Sequence, residues 1–214
     1  MEKSIAYKRK SQISFDNQAD SYDSTYYGQH AQRLYDRVIE TMNKYEYKNV
    51  LDVGCGTGYV LAEIIKQKPV ETAGIDLSEK MLDIAKRRIG NEADLRNGDS
   101  EHLPWNSDMF DIVICTDSFH HYPNTRAVLN EMRRVLSPTG KLVIADPWIP
   151  SPLRQFTNLF LPFSKDGDVK IYSKTEMKRM FINCNLQAVS WEKVGKNAFV
   201  TVAEKKIGVG NGDC

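Results

Sequence analysis

Asp52, Gly54, Gly56 and Gly58 crowd into the run Val50-Leu51-Asp52-Val53-Gly54-Cys55-Gly56-Thr57-Gly58. A short apolar stretch enters the glycines, and Tyr59-Val60-Leu61-Ala62-Glu63-Ile64-Ile65 leaves them with helical spacing of apolar residues. The pattern is strand, glycine turn, helix. Glycine is needed where backbone bends sharply or where a ligand must approach without a Cβ in the way. The helix that follows offers unpaired N–H groups and the positive end of its dipole. Turns that hold a dinucleotide pyrophosphate space their glycines G-x-G-x-x-G, and the third packs helix on strand. Here the third glycine arrives one residue early, and Tyr59 stands where it is expected. An acid, Asp52, lies two residues before the first glycine, and a carboxylate there suits a ligand carrying positive charge.

Other chemistry-bearing residues fall at the ends of later apolar runs. Gly74-Ile75-Asp76-Leu77 closes the second, and Asp76 is 18 residues past Gly58, where an acid can accept both hydroxyls of a ribose. The third ends in Asn97-Gly98-Asp99-Ser100-Glu101-His102-Leu103-Pro104-Trp105. The fourth ends in Cys115-Thr116-Asp117-Ser118-Phe119-His120-His121-Tyr122. Paired histidines invite a metal. Adjacent side chains seldom point the same way, however, and the sequence supplies no third ligand, so no metal is expected. An imidazole titrates near neutral pH, which makes His120 the candidate general base.

These residues need elements to position them. Val70 to Asp76 reads as a strand and Ser78 to Ile89 as a helix with Ser78 at its N-cap. Ala93 to Asn97 and Phe110 to Cys115 read as strands, and Asn124 to Leu136 as a helix. Pro138-Thr139-Gly140 is expected to turn into a fifth strand, Lys141 to Asp146. Near-continuous apolar strands alternating with helices give a parallel sheet covered on both faces. After a helix from Ser173 to Phe181, two strands, Leu186 to Val194 and Ala198 to Glu204, are joined by only Gly195-Lys196-Asn197. That link is too short for a crossover, so the pair forms an antiparallel hairpin. In open α/β sheets ligands sit beyond the carboxyl ends of the strands, where the residues above collect.

The chain of 214 residues fits one such domain. Its charged fraction of 27% is ordinary, and a net charge of +1 gives no electrostatic case for nucleic acid. No apolar run approaches the roughly 18 residues of a membrane span, and the N-terminus lacks the apolar core of a signal peptide. Cys55, Cys115, Cys184 and Cys214 lie far apart, without metal-ligand spacing, so a reduced cytoplasmic setting is expected.

The glycine turn with its preceding acid resembles motif I of the class I methyltransferases that use S-adenosylmethionine. The ordered later strand ends extend the resemblance from about Phe15 to Lys205. It implies a doubly wound, Rossmann-like α/β fold with a seven-stranded sheet, five strands parallel plus a terminal antiparallel hairpin. It implies S-adenosylmethionine as cofactor, held by Tyr22, Asp52, Gly54, Cys55, Gly56, Gly58, Asp76, Leu77, Met81, Asp99, Ser100, Cys115 and Thr116. In the family the acid after the third-strand glycine accepts from the adenine amino group, and the next backbone N–H donates to the ring; here these are Asp99 and Ser100. Backbone at Cys115 and Thr116 is expected to hold the methionine part. Phe15-Asp16-Asn17-Gln18-Ala19-Asp20-Ser21-Tyr22-Asp23 resembles the entry sequence of small-molecule methyltransferases related to quinone-biosynthesis enzymes, and Tyr22 matches the tyrosine that covers the cofactor. The Asn/Asp-Pro-Pro-aromatic tetrapeptide of enzymes that methylate amino groups of DNA or protein is replaced by Cys115-Thr116-Asp117-Ser118.

The expected activity is therefore methyl transfer to a small, hydrophobic or aromatic molecule, by a protein that is a monomer or a dimer. Residues 1–46 are read as a helical cap, 47–206 as the methyltransferase domain with a lid at 147–172, and 207–214 as a loose tail. Phe119, His121 and Tyr122 are expected to meet the acceptor, with Trp148, Phe156 and Phe160 from the lid. A nicotinamide-dependent oxidoreductase and a non-catalytic S-adenosylmethionine-binding protein are the alternatives.

Overall fold

Asn49–Val53 (β1), Glu71–Asp76 (β2), Ala93–Asn97 (β3), Phe110–Thr116 (β4) and Leu136–Pro147 (β5) pair as parallel neighbours in the computed structural model, which describes residues 2–206. The expected tail at 207–214 lies outside the described residues. Leu186–Val194 (β6) and Ala198–Lys205 (β7) close the sheet as an antiparallel hairpin, β7 pairing with β5. The strand order is β3-β2-β1-β4-β5-β7-β6. The order reverses between β1 and β4, and a crevice opens beyond their carboxyl ends.

Tyr59–Gln67 (α3), Glu79–Ile89 (α4), Thr125–Val135 (α5) and Lys174–Asn183 (α7) cover the sheet. Ser78 caps α4 as its sequence position implies, accepting the Met81 N–H at 3.1 Å. Ser173 and Glu176 form a reciprocal capping box on α7. The central strands are apolar on both faces: Leu51, Val53, Val113 and Cys115 enter one core layer, and Val50, Ile112 and Ile114 the other.

One strand differs from its sequence expectation. Pro138-Thr139-Gly140 does not form a separate turn; β5 starts at Leu136. Leu136 pairs with Phe110, and the register shifts before Ile112 meets Lys141. The irregularity absorbs the extra residues while the backbone stays extended.

Glu2–Gln18 (α1), a short 3-10 turn at Ala19–Ser24 and Tyr26–Met42 (α2) precede the sheet. The apolar stripe of α2 buries Leu34, Val38 and Met42 against Val60, Ile64 and Ile112. The α1 segment attaches differently, through polar side chains. Asp16 accepts from Ser78 Oγ at 2.5 Å, Ser14 donates to Asp166 at 2.5 Å, and Lys8 meets Asp99 at 2.6 Å. In the turn that follows, Asp23 accepts from Thr57 Oγ1 at 2.8 Å and pairs with Arg88. These contacts lay α1 across the crevice.

Candidate active site

The three glycines of the β1–α3 turn have different reasons to lack a side chain. A Cβ at Gly54 would lie 2.5 Å from Ser118 Oγ, and one at Gly58 would lie 2.8 Å from the Ala85 Cβ of α4. Both are filled by the protein itself. Gly56, at φ +52°, has nothing within 4 Å of the same position. Its open side faces a cleft bordered by the ends of β1, β2 and β4 and by Phe15 and Tyr22.

Asp52, at the end of β1, lines that cleft and is 2% exposed. Its Oδ1 has no hydrogen-bond partner among the described residues. Burial, reinforced by Asp76, pushes the carboxyl up to about 8. An unpartnered buried carboxyl is costly, and it asks for a cation. Asp76 is half-buried, and each of its oxygens is held: Oδ2 accepts the Gly56 N–H and Oδ1 the Ser78 N–H, both at 2.8 Å. A carboxylate oxygen has a second lone pair, so Asp76 can still accept two ligand hydroxyls.

Of the cofactor residues named from sequence, Tyr22, Asp52, Gly54, Cys55, Gly56, Asp76, Leu77, Met81, Asp99, Ser100 and Thr116 all border the cleft. Gly58 and Cys115 do not. Gly58 is spent on the α3–α4 contact. Cys115 is fully buried, with its Sγ 3.1 Å from Ser118 Oγ, and burial pushes its thiol pKa upward. Lys8, Tyr35, Asp117 and Ser118 also line the cleft and were not found by sequence. Lys8 bridges Asp99 and Glu101 at 2.6 Å each, at the end where an adenine amino group is expected. Asp117 stands at φ +53°, a conformation unusual for a side chain with a Cβ and often found at functional sites.

A second cleft adjoins the first. Phe15, Tyr22, Asp117 and His121 line both. Its far wall is His120, Pro147, Leu161, Asp168 and Ile171. The His120 Nδ1 lies 2.9 Å from Asp146, which is completely buried. Burial works against a charged ring, but Asp146, Asp117 and Asp168 outweigh it and hold the His120 pKa up at about 9. The ordinary near-neutral titration assumed from sequence does not apply. His121 moves the other way, kept neutral by burial and by His120.

The remaining acceptor residues divide. His121 and Tyr122 line the first cleft. Phe119 is turned inward by its 3-10 turn and is fully buried against Tyr122 and Tyr172. Trp148 packs edge-on against Trp191. Phe156 and Phe160 lie on a helix, Leu153–Phe160 (α6), whose apolar face points to solvent, and they are 61% and 56% exposed. Neither cleft includes Phe119, Trp148, Phe156 or Phe160. The apolar face of α6 does not turn toward the clefts.

A family model described as a methyltransferase domain matches residues 51–144. The demethylmenaquinone methyltransferase of Lactobacillus johnsonii is 33% identical over 181 residues, covering 76% of this chain and 72% of that protein. The chain belongs to the S-adenosylmethionine-dependent methyltransferases. The demethylmenaquinone methyltransferase of Thermotoga maritima is 36% identical over 129 residues, 59% of this chain and 55% of its own length. The chain thus spans about half of that relative. A SAM-dependent methyltransferase from Aquifex aeolicus shares the fold at a TM-score of 0.66, with 19% identity over 90% of this chain and 97% of that one. The residues present fit the family's cofactor: an unpartnered acid for its ammonium, an open glycine for backbone approach, and Asp76 for its ribose. The nicotinamide alternative falls with the family.

Two outcomes follow for cofactor binding. Gly56→Val fills the open side of the turn, so the folded variant should lose calorimetric affinity for S-adenosylhomocysteine by more than about tenfold. Unchanged affinity would put the ligand elsewhere. For Asp52, ligand binding must draw off the proton its raised pKa retains. Affinity should therefore rise close to tenfold per unit between about pH 6 and 7, where the ligand ammonium stays charged. The Asp52→Asn variant should be weaker and nearly flat with pH. A flat wild-type profile would remove Asp52 from ammonium recognition.

Proposed function

We propose that this chain transfers the methyl group of S-adenosylmethionine to a small apolar or aromatic acceptor held in the second cleft. The observation that carries the reading is the shared wall: Phe15, Tyr22, Asp117 and His121 border both clefts, so ligands in the two meet there. When bound, the cofactor supplies a methyl group made electrophilic by its cationic sulfur. The chain's part is to bind, orient and exclude water. Asp52 takes the ammonium, Asp76 the ribose hydroxyls, and Asp99 with the Ser100 N–H the purine edge once Lys8 yields. Orientation of this kind can supply about 7–11 kcal/mol of a barrier.

Two relatives named demethylmenaquinone methyltransferase support a flat aromatic acceptor. The second cleft supports it too, through Leu161, Ile171 and Pro147 on one side and Phe15 on the other. The 147–172 segment contributes by Leu161 and Ile171 rather than by Phe156 and Phe160. Residues 1–30 serve as the cover, since α1 is held by side-chain hydrogen bonds and ion pairs that can break and re-form without exposing core. His120, its ring set by Asp146, is the polar group that faces the acceptor's side of the second cleft.

A screen of phenols, quinols and other small aromatics for a mass gain of one methyl group tests the activity and separates it from a non-catalytic cofactor binder. With an active acceptor, His120→Ala should lower turnover by about 10²–10⁴ while cofactor affinity stays within about twofold. A change in acceptor KM alone would make His120 part of the pocket wall only.

A further inference from the structure

Cofactor binding leaves one half-buried cluster unused. His120 and His121 are consecutive, yet the 3-10 turn Phe119–His121 sets their rings 4.0 Å apart at 39°. Asp168, 47 positions beyond His121 and on the loop after Leu161–Phe163, comes to both. Its Oδ1 lies 3.5 Å from His120 Nε2 and 3.3 Å from His121 Nδ1. All three donor atoms fall within 4.8 Å of one another. The loop is pinned there by backbone: the Val169 and Lys170 N–H groups donate to the His120 carbonyl at 2.8 and 3.2 Å.

These separations are poor hydrogen bonds. A charged histidine and a carboxylate meet at about 2.7–2.9 Å, as His120 Nδ1 and Asp146 do. Ligand atoms on a tetrahedral ion with bonds of about 2.0–2.1 Å stand roughly 3.3–3.4 Å apart. The two contacts at Asp168 Oδ1 match the second spacing. His121 is 9% exposed, and its Nδ1 has no hydrogen-bond partner among the described residues although it faces Asp168. Asp146 adds the outer support of metal-bound histidines: it takes the Nδ1 side of His120 and leaves Nε2 turned to Asp168. The surroundings also want positive charge, since Asp117 and Asp146 form a second close group with His120.

We propose that His120 Nε2, His121 Nδ1 and a carboxylate oxygen of Asp168 bind one divalent transition-metal ion, with an open position toward the second cleft. Two imidazoles and one carboxylate favour zinc or a similar borderline ion over magnesium or calcium. The open position takes an oxygen acid. An acceptor hydroxyl that ligates there gives its proton to solvent and presents its oxygen anion to the wall shared with the first cleft. Only that last role rests on the methyltransferase reading; metal binding does not.

The test uses metal rather than turnover. The full chain, stripped with chelator and dialysed against Zn²⁺ or Co²⁺, should bind about one equivalent by elemental analysis. The Co²⁺ form should show the visible absorption of a low-coordinate site with nitrogen and oxygen ligands. Asp168→Ala and His120→Ala, checked for native circular dichroism, should weaken binding at least about tenfold, and Asp168→Glu should recover part of it. Wild-type protein that binds well below one equivalent at micromolar free metal overturns the site, with no variant required. So does equal binding by the alanine variants, which would place the ion elsewhere. Methyl transfer without metal binding would sink the metal and spare the proposed function; metal binding without methyl transfer would do the reverse.

Discussion

Asp52 is the constraint around which this structure is arranged. A carboxyl at the end of the first strand is sealed from water with an oxygen that nothing in the described chain satisfies. Its pKa of about 8 records the cost of charging it there. The folded chain holds the proton more tightly than the unfolded chain, whose carboxyl titrates near the ordinary 3.8. Stability from this group is therefore greatest at low pH, falls as pH rises above that value, and levels off above about 8. Such a residue weakens the empty protein at working pH. A cationic ligand turns the same burial into affinity, because charge–charge attraction is strongest where water is absent.

The topology explains why the acid stands in that place. Reversal of strand order between β1 and β4 opens the crevice, and the glycine turn lets a ligand approach β1 from above. Gly54 and Gly58 are used up by Ser118 and by α4, which leaves Gly56 as the only one of the three facing open space. The β4 end, bent by Asp117, separates the two clefts and carries the histidines to the second. Over both lies α1, fixed by Lys8, Asp16 and the Phe15 ring against Tyr22 and His121, with Asp23 anchoring the turn after it. A cover attached in this way can detach at modest cost, since exposed and half-exposed ion pairs contribute little.

Much of this was legible because apolar period and glycine spacing report directly on backbone. The seven strands, the hairpin and the Ser78 cap follow from them, and so does the gathering of Asp52, Asp76 and Asp99 near strand ends beside the first cleft. What stayed hidden depends on side-chain direction or on partners distant in sequence. Nothing in Lys8 announces a contact with Asp99, since α1 lacks an apolar stripe to orient it, and nothing in Asp23 announces one with Arg88. The expectation that neighbouring histidines diverge holds for strands and helices, but a 3-10 turn gathers His120 and His121 and buries Phe119 behind them. Asp168 offers no local signal at all. For the expected lid, residue types do not say which side of α6 faces solvent, and Phe156 and Phe160 point outward.

The most direct measurement is a crystal structure of the full chain with S-adenosylhomocysteine. The ligand's ammonium should lie within hydrogen-bonding distance of Asp52 Oδ1, its ribose hydroxyls against Asp76, and its backbone-facing side over Gly56. A ligand seated with Asp52 still unpartnered, or bound outside the β1–β4 crevice, would contradict this account.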